Sequence, residues 1–132
     1  MSLALAGTLD TNILLRFLLA DVPEQHTKAK RKIESNQLWY ISNLSIAEIV
    51  FVLEGLGVPR DLVAKNLYLL SSYTNLYMNR QVIIPALDLY LSRPSLSFID
   101  AALAYEAIAE TATPLLTFDR KLANQAESAK LL

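Results

Sequence analysis

The sequence has no cysteine, one histidine, one tryptophan and three glycines in 132 residues. The missing thiols remove disulfide frameworks, thiolate metal sites and cysteine nucleophiles. They fit a reducing compartment, so the cytoplasm is the expected location. A histidine-dependent triad would have to use His26, and no serine stands in a nucleophile-elbow motif. Gly7, Gly55 and Gly57 form no phosphate-cradling loop, which leaves a nucleotide-binding enzyme poorly supported. No apolar run approaches the roughly 18–20 residues of a spanning helix, because Arg16, Asp21, Glu48, Glu54, Asp88, Asp100, Glu106 and Glu110 interrupt the candidates. The first apolar run lacks the basic segment that precedes it in a signal peptide. Neither a membrane nor export is therefore expected. An excess of one charge is absent too: 12 basic residues face 13 acidic ones, for a net charge of −1. Any binding of nucleic acid must come from a local patch.

Apolar residues, by contrast, are plentiful, at 53% of the chain with a mean hydropathy of +0.30. On a soluble chain such a surplus points to a subunit interface. The length suits a single domain, 1–132, with one core. A short apolar run over 3–9 reads as a buried strand, followed by a helix to about residue 20. Pro23 and Glu24 open a second helix, which runs to about residue 35. It carries Lys28, Lys30, Arg31 and Lys32, the densest basic cluster in the chain. The plain reading of that cluster is a solvated helix face; the functional one is a phosphate-contacting strip of Lys28, Arg31 and Lys32.

Residues 38–41 read as a second strand. A third helix spans 43–56, ended by Gly57 and Pro59. Residues 61–72 form a fourth, and Leu76-Tyr77 a short extended piece. Residues 81–91 look helical, although Pro85 must kink that helix or delay its start. An Ala-rich helix covers 97–110. Residues 114–117 form another strand, followed by a helix over 120–126, and Lys130-Leu131-Leu132 can add an edge strand. Strands alternating with helices, without hairpin signals, imply a mostly parallel sheet covered by helices. Trp39 and the tyrosines fall on apolar segments and read as core or interface rather than as base-stacking platforms. His26, on a charged helix, reads as exposed.

Four carboxylates need a separate account. Asp10 falls where the first strand ends and a helix begins, and in an open α/β sheet ligands bind at the carboxyl ends of strands. Helix capping is its plain reading. Asp119 repeats the pattern after Leu115-Leu116-Thr117-Phe118. Glu48 lies in a helix with apolar residues all round, expected to be buried on most sides. Its plain role is a capping box with Ser45, which requires the helix to start there; Asn43 competes as the cap, and Glu48 then needs another partner. Asp100 falls in the first turn of the Ala-rich helix, where an acid is ordinary. Two strand ends and two helices thus offer four carboxylates to one region. Hard oxygen donors without histidine or cysteine suit Mg²⁺ or Mn²⁺, and acidic clusters holding such ions activate water against phosphodiesters.

Leu9-Asp10-Thr11-Asn12-Ile13-Leu14-Leu15-Arg16, Ser45-Ile46-Ala47-Glu48, Ser97-Phe98-Ile99-Asp100-Ala101 and Leu116-Thr117-Phe118-Asp119, in that order, resemble the PIN-domain nucleases. The likeness is nearest to the VapC-type toxins of toxin–antitoxin pairs, and it covers nearly the whole chain. It implies a three-layer α/β/α fold with a mostly parallel central sheet and an endoribonuclease using one or two Mg²⁺ or Mn²⁺ ions. It implies that Asp10, Glu48, Asp100 and Asp119 are the catalytic and metal-binding acids, with Asn12 and Thr117 as hydrogen-bonding supports. It also implies an RNA substrate, a homodimer and a small antitoxin that blocks the site. The competing reading is a PIN-like binding or scaffold module with little catalysis. Retention of all four acids favours the enzyme.

Overall fold

The computed structural model describes residues 4–132. The chain divides into two compact units, one ending at Asn79 and the other spanning Arg80–Leu132.

In the first unit, β1 (Leu5–Thr8) leads into α1 (Thr11–Leu19) and α2 (Pro23–Ile33). The second strand, β2 (Leu38–Tyr40), leads into α3 (Asn43–Gly55) and α4 (Arg60–Ser71), and β3 (Leu76–Tyr77) completes the sheet. The expected start of the first strand at Leu3 lies outside the described residues. The strand order is β1-β2-β3, and both pairs are parallel. Parallel neighbours cannot be joined by a tight turn, so a pair of helices intervenes between each strand and the next. Leu9 N–H to the Tyr40 carbonyl and Ile41 N–H to the Tyr77 carbonyl, both 2.9 Å, carry the pairing just past the strands. Leu14, Ile33, Ile41, Ile49, Leu67 and Leu76 are fully buried.

Gly7 faces Trp39 across the β1–β2 pair. A β-carbon at Gly7 would come within 3.1 Å of the indole, so the missing side chain lets the ring lie against β1. Asn75 fastens the approach to β2. Its side-chain nitrogen donates to the carbonyls of Ile33, Ser35 and Gln37 at 2.8–3.2 Å, and its own carbonyl accepts from Trp39 N–H.

Two expectations for this unit are corrected. The third helix is not buried on most sides. Its Ile46, Ile49, Val50 and Leu53 are buried, but Leu44 is 81% and Phe51 75% exposed, with Glu48 exposed between them. The helix packs against α1 and α4, and the stripe facing away, at i, i+4 and i+7, meets water despite its apolar ends. Nor is His26 simply exposed. It is half-buried, stacked on Phe17 at 5.9 Å, with Nδ1 3.2 Å from the Arg16 carbonyl.

The second unit comprises α5 (Arg80–Ser92), α6 (Phe98–Ala109), β4 (Leu115–Thr117), α7 (Arg120–Gln125) and β5 (Ala129–Leu131). The last strand is the edge strand that the C-terminal residues allowed, and it pairs parallel with β4. Leu96, Ala104, Leu122 and Ala126 form a small core between α6 and α7, closed by Leu89, Leu115 and Ala129. Pro85 neither delays α5 nor ends it: the helix begins at Arg80 and runs through. Among the described residues, no helix is long and apolar enough to cross a membrane.

The end of α3 yields a test. Gly57 N–H bonds the Glu54 carbonyl at 2.9 Å, and Val58 N–H bonds the Leu53 carbonyl at 3.0 Å, with Gly57 at φ +83°. This six-to-one closure needs a left-handed residue. A β-carbon at either Gly55 or Gly57 would meet open space. Backbone preference alone therefore sets the sign. Gly57→Ala should lose about 1–2 kcal/mol, whereas Gly55→Ala, inside the helix, should gain roughly 0.5–1 kcal/mol. Urea unfolding of both variants checks the opposite signs.

Candidate functional site

Each unit carries two of the four acids. In the first, parallel pairing brings the carboxyl ends of β1 and β2 to one edge of the sheet. Asp10 follows β1 there, and Ser42 follows β2 as the cap of α3. Asp10 has the backbone of a cap, with φ −70° and ψ 153°, and its carbonyl accepts from Ile13 N–H at 3.0 Å and Leu14 N–H at 3.3 Å. Its carboxylate, however, makes no capping bond. The helix-cap role open to this side chain is therefore not taken up.

Glu48 also lacks its plain role. Ser42 Oγ accepts from Leu44 N–H at 3.1 Å, so α3 is capped three residues before Ser45, and no Ser45–Glu48 capping box forms. Among the described residues, neither the Asp10 nor the Glu48 carboxylate has a hydrogen bond or an ion pair. Asn43, the first residue of α3, has a buried side-chain oxygen without a hydrogen-bond partner. Sequence patterning weighed Asn43 only as a cap. Asn12 is exposed in the first turn of α1.

In the second unit, Ser97 caps α6 by accepting from Asp100 N–H at 3.1 Å. The Asp100 carboxylate is partly exposed and has no partner among the described residues. Asp119 differs. Its Oδ1 accepts from Lys121 N–H at 2.9 Å and Leu122 N–H at 3.3 Å, a true cap of α7. Its own N–H donates to Thr117 Oγ1 at 2.9 Å. Thr117 thus supports Asp119 through the backbone, and Asp119 Oδ2 is left open.

Within each unit, and among the described residues, no group of three or more acidic or histidine side chains is close enough to hold an ion by itself. The donor chemistry nonetheless fits a small hard cation. Mg²⁺ takes one or two carboxylates and completes its shell with water and substrate phosphate, so each unit offers enough oxygen. The one histidine is engaged with Phe17 and the Arg16 carbonyl instead.

Lys28, Arg31 and Lys32 line one cleft of about 740 Å³, together with Trp39, Leu9 and Ile13. Trp39 is half-buried there rather than sealed in the core. Its place depends on Gly7, distant in sequence, which residue-by-residue patterning does not connect to it.

The difference between the two strand-end aspartates is measurable. Asp119→Ala should destabilise the chain by about 1 kcal/mol, the usual worth of a side-chain cap. Asp10→Ala should change stability by no more than a few tenths, since its carboxylate makes no hydrogen bond or ion pair among the described residues. Chemical denaturation of the two variants separates them.

A similar solved structure is a toxin–antitoxin complex from Klebsiella pneumoniae, 16% identical, with a TM-score of 0.39 over 94% of this chain and 95% of that one. No curated protein matches the chain. The PIN domain family model matches residues 8–128. That span takes in all four acids and every helix, and of the strands it leaves out β5 and all of β1 but Thr8. The chain therefore belongs to the PIN domain family, with the three-layer α/β/α fold class that the family carries and that the sequence led us to expect.

Proposed function

We propose that this chain is a Mg²⁺- or Mn²⁺-dependent endoribonuclease, the VapC-type toxin of a toxin–antitoxin pair, and that Asp10, Glu48, Asp100 and Asp119 are its essential acids. One observation carries the reading. In a family of nucleases, Asp10 and Glu48 each stand where a capping bond is open to the carboxylate, and among the described residues neither carboxylate makes a hydrogen bond or an ion pair. A carboxylate that the fold leaves unbonded keeps its acceptor oxygens for a ligand.

Asp10 and Glu48, and Asp100 and Asp119, would hold the ions. A divalent ion supplies positive charge to the phosphodiester oxygens and makes water more acidic. The protein groups do the rest. Asp10, Glu48 and Asp100 have open oxygens, and one of them takes the proton of the attacking water. Asp119, clamped through Oδ1 and through Thr117, cannot swing, so its Oδ2 is a fixed ligand. Asn12 supplies an amide one helical position beyond Thr11 for bound water or RNA.

Self-association and an antitoxin partner belong to the same proposal. Leu44, Phe51 and Phe118 leave large apolar side chains in water, which supports a homodimer. Light scattering should then give twice the monomer mass. The antitoxin is expected to be a small protein that covers the acids, and its addition should stop cleavage.

The central test is cleavage of single-stranded RNA in Mg²⁺ or Mn²⁺, with EDTA as the blank. Asp10→Asn, Asp100→Asn and Asp119→Asn should each lower the rate by about 10²–10³-fold, the scale seen when one electrostatic stabiliser of a transition state is removed. Asn preserves a cap, so the folds should remain. Thermal melts supply a second readout. Mn²⁺ at a hundredfold excess over its Kd should stabilise the parent by about 2.7 kcal/mol for one site, and the Asn variants less. Full activity in all three variants would sink the nuclease reading.

A further inference from the structure

The cleft between α1, α2 and the middle of β2 has two kinds of wall. Leu9, Ile13 and the Trp39 ring are apolar, whereas Lys28, Arg31 and Lys32 are cationic, and no carboxylate lines the space. Its volume, about 740 Å³, is that of a site for a small organic group. The cations are not equally free. Arg16, also on the wall, is neutralised by Asp21 at 2.6 Å. Lys28 reaches Glu24 at 3.5 Å, but both side chains are mostly exposed, and such pairs are weak. Arg31 and Lys32 have no carboxylate partner among the described residues, and Lys32 Nζ lies 5.6 Å from the centre of the Trp39 ring. The chain as a whole is slightly acidic, so this patch is a local feature.

An unpaired nucleotide has the complementary make-up. Its base is a flat, nearly apolar ring that stacks on aromatic side chains, and its phosphate seeks lysine and arginine. Leu9 and Asn12, both on the wall, flank Asp10 in the chain, so the backbone of Asp10 runs along the rim of the cleft although its side chain does not line it. An acidic peptide would satisfy the same cations but would leave Trp39, Leu9 and Ile13 uncovered.

We propose that this cleft is a nucleotide subsite for substrate RNA. It holds one unpaired base against Trp39 with the adjoining phosphate on Arg31 and Lys28, next to the phosphodiester presented to Asp10. This rests on the ribonuclease reading above and adds to it where the neighbouring nucleotide goes. It also gives Trp39 the base-contacting role that its apolar setting argued against.

Trp39 is the only tryptophan, so its fluorescence reports on this cleft alone. The experiment titrates the full chain, in EDTA to prevent cleavage, with a six-nucleotide oligoadenylate. Indole fluorescence and the anisotropy of the same oligonucleotide carrying a dye are read in parallel. Saturable quenching with the Kd given by anisotropy is expected. A hexamer of abasic ribose-phosphate should bind without quenching. Arg31→Ala, at an exposed position, should raise Kd by about tenfold and lower the slope of log K against log salt by about 0.7, one phosphate contact on a single strand. Its circular dichroism should match the parent. Anisotropy binding without quenching would place RNA elsewhere and overturn the subsite, while metal-dependent cleavage would still uphold the nuclease. Quenching by hexaglutamate as tight as that by RNA would make the cleft a peptide site and also overturn the proposal. No RNA binding together with no cleavage would remove the nuclease reading itself.

Discussion

Parallel strand pairing constrains everything else in this chain. A parallel neighbour can be reached only by a crossover, so each of β1, β2 and β4 must hand over to a helix at the same kind of junction. A helix start exposes backbone N–H groups that need acceptors. That need explains the small oxygen-bearing side chains at Asp10, Ser42 and Asp119, and at Ser97 before α6. Ser42, Ser97 and Asp119 meet it with their side chains. Asp10 adopts the geometry and withholds the carboxylate. The chemistry proposed for the site begins in that one departure.

The two strand-end aspartates also mark the limit of what can be read from sequence. Thr8-Leu9-Asp10 and Thr117-Phe118-Asp119 have the same spelling, and both read as caps. They diverge because Leu9 is 5% exposed and its N–H continues the ladder to Tyr40, which holds the chain extended one residue longer. Phe118 is 80% exposed and has no such bond, so the chain turns and Thr117 receives the Asp119 N–H. Long-range pairing decides the matter, and local pattern does not contain it. Glu48 fails as a capping partner for a similar reason. Ser42, Asn43 and Ser45 are all plausible caps by composition, and only the end of β2 selects Ser42.

Elsewhere the sequence was more legible. Pro23 at the first turn of α2, Gly57 beyond α3, and the Ser97 and Glu110 boundaries of α6 stand where breakers and caps indicated. Pro85 sits inside α5 without delaying its start because one missing backbone bond and a ring clash, about 3 kcal/mol, are outweighed. Val82, Ile83, Ala86, Leu87 and Tyr90 are buried by the same helix, and each large apolar side chain contributes about 1.5–3 kcal/mol. The exposure of Leu44 and Phe51 was hidden for the opposite reason: a helix apolar all round does not reveal which side has a neighbour. The ordered spacing of the four acids was the strongest signal in the chain. Sequence singled those residues out as candidates but could not tell which of them the fold had already employed.

The boundary at Asn79 has a consequence in time rather than space. All three strands of the first sheet and both of its crossovers precede Arg80. At about 5–20 residues per second of synthesis, residues 80–132 take roughly 3–10 s to make. Hairpins and helices form in microseconds, and mixed α/β folds close well within seconds. The N-terminal sheet therefore has time to complete its hydrogen bonds while the ribosome is still making α5 through β5. Asp10 and Glu48 lie in the part of the chain made first, and Asp100 and Asp119 in the part made last. Translation itself then separates the birth of the two acidic pairs by several seconds.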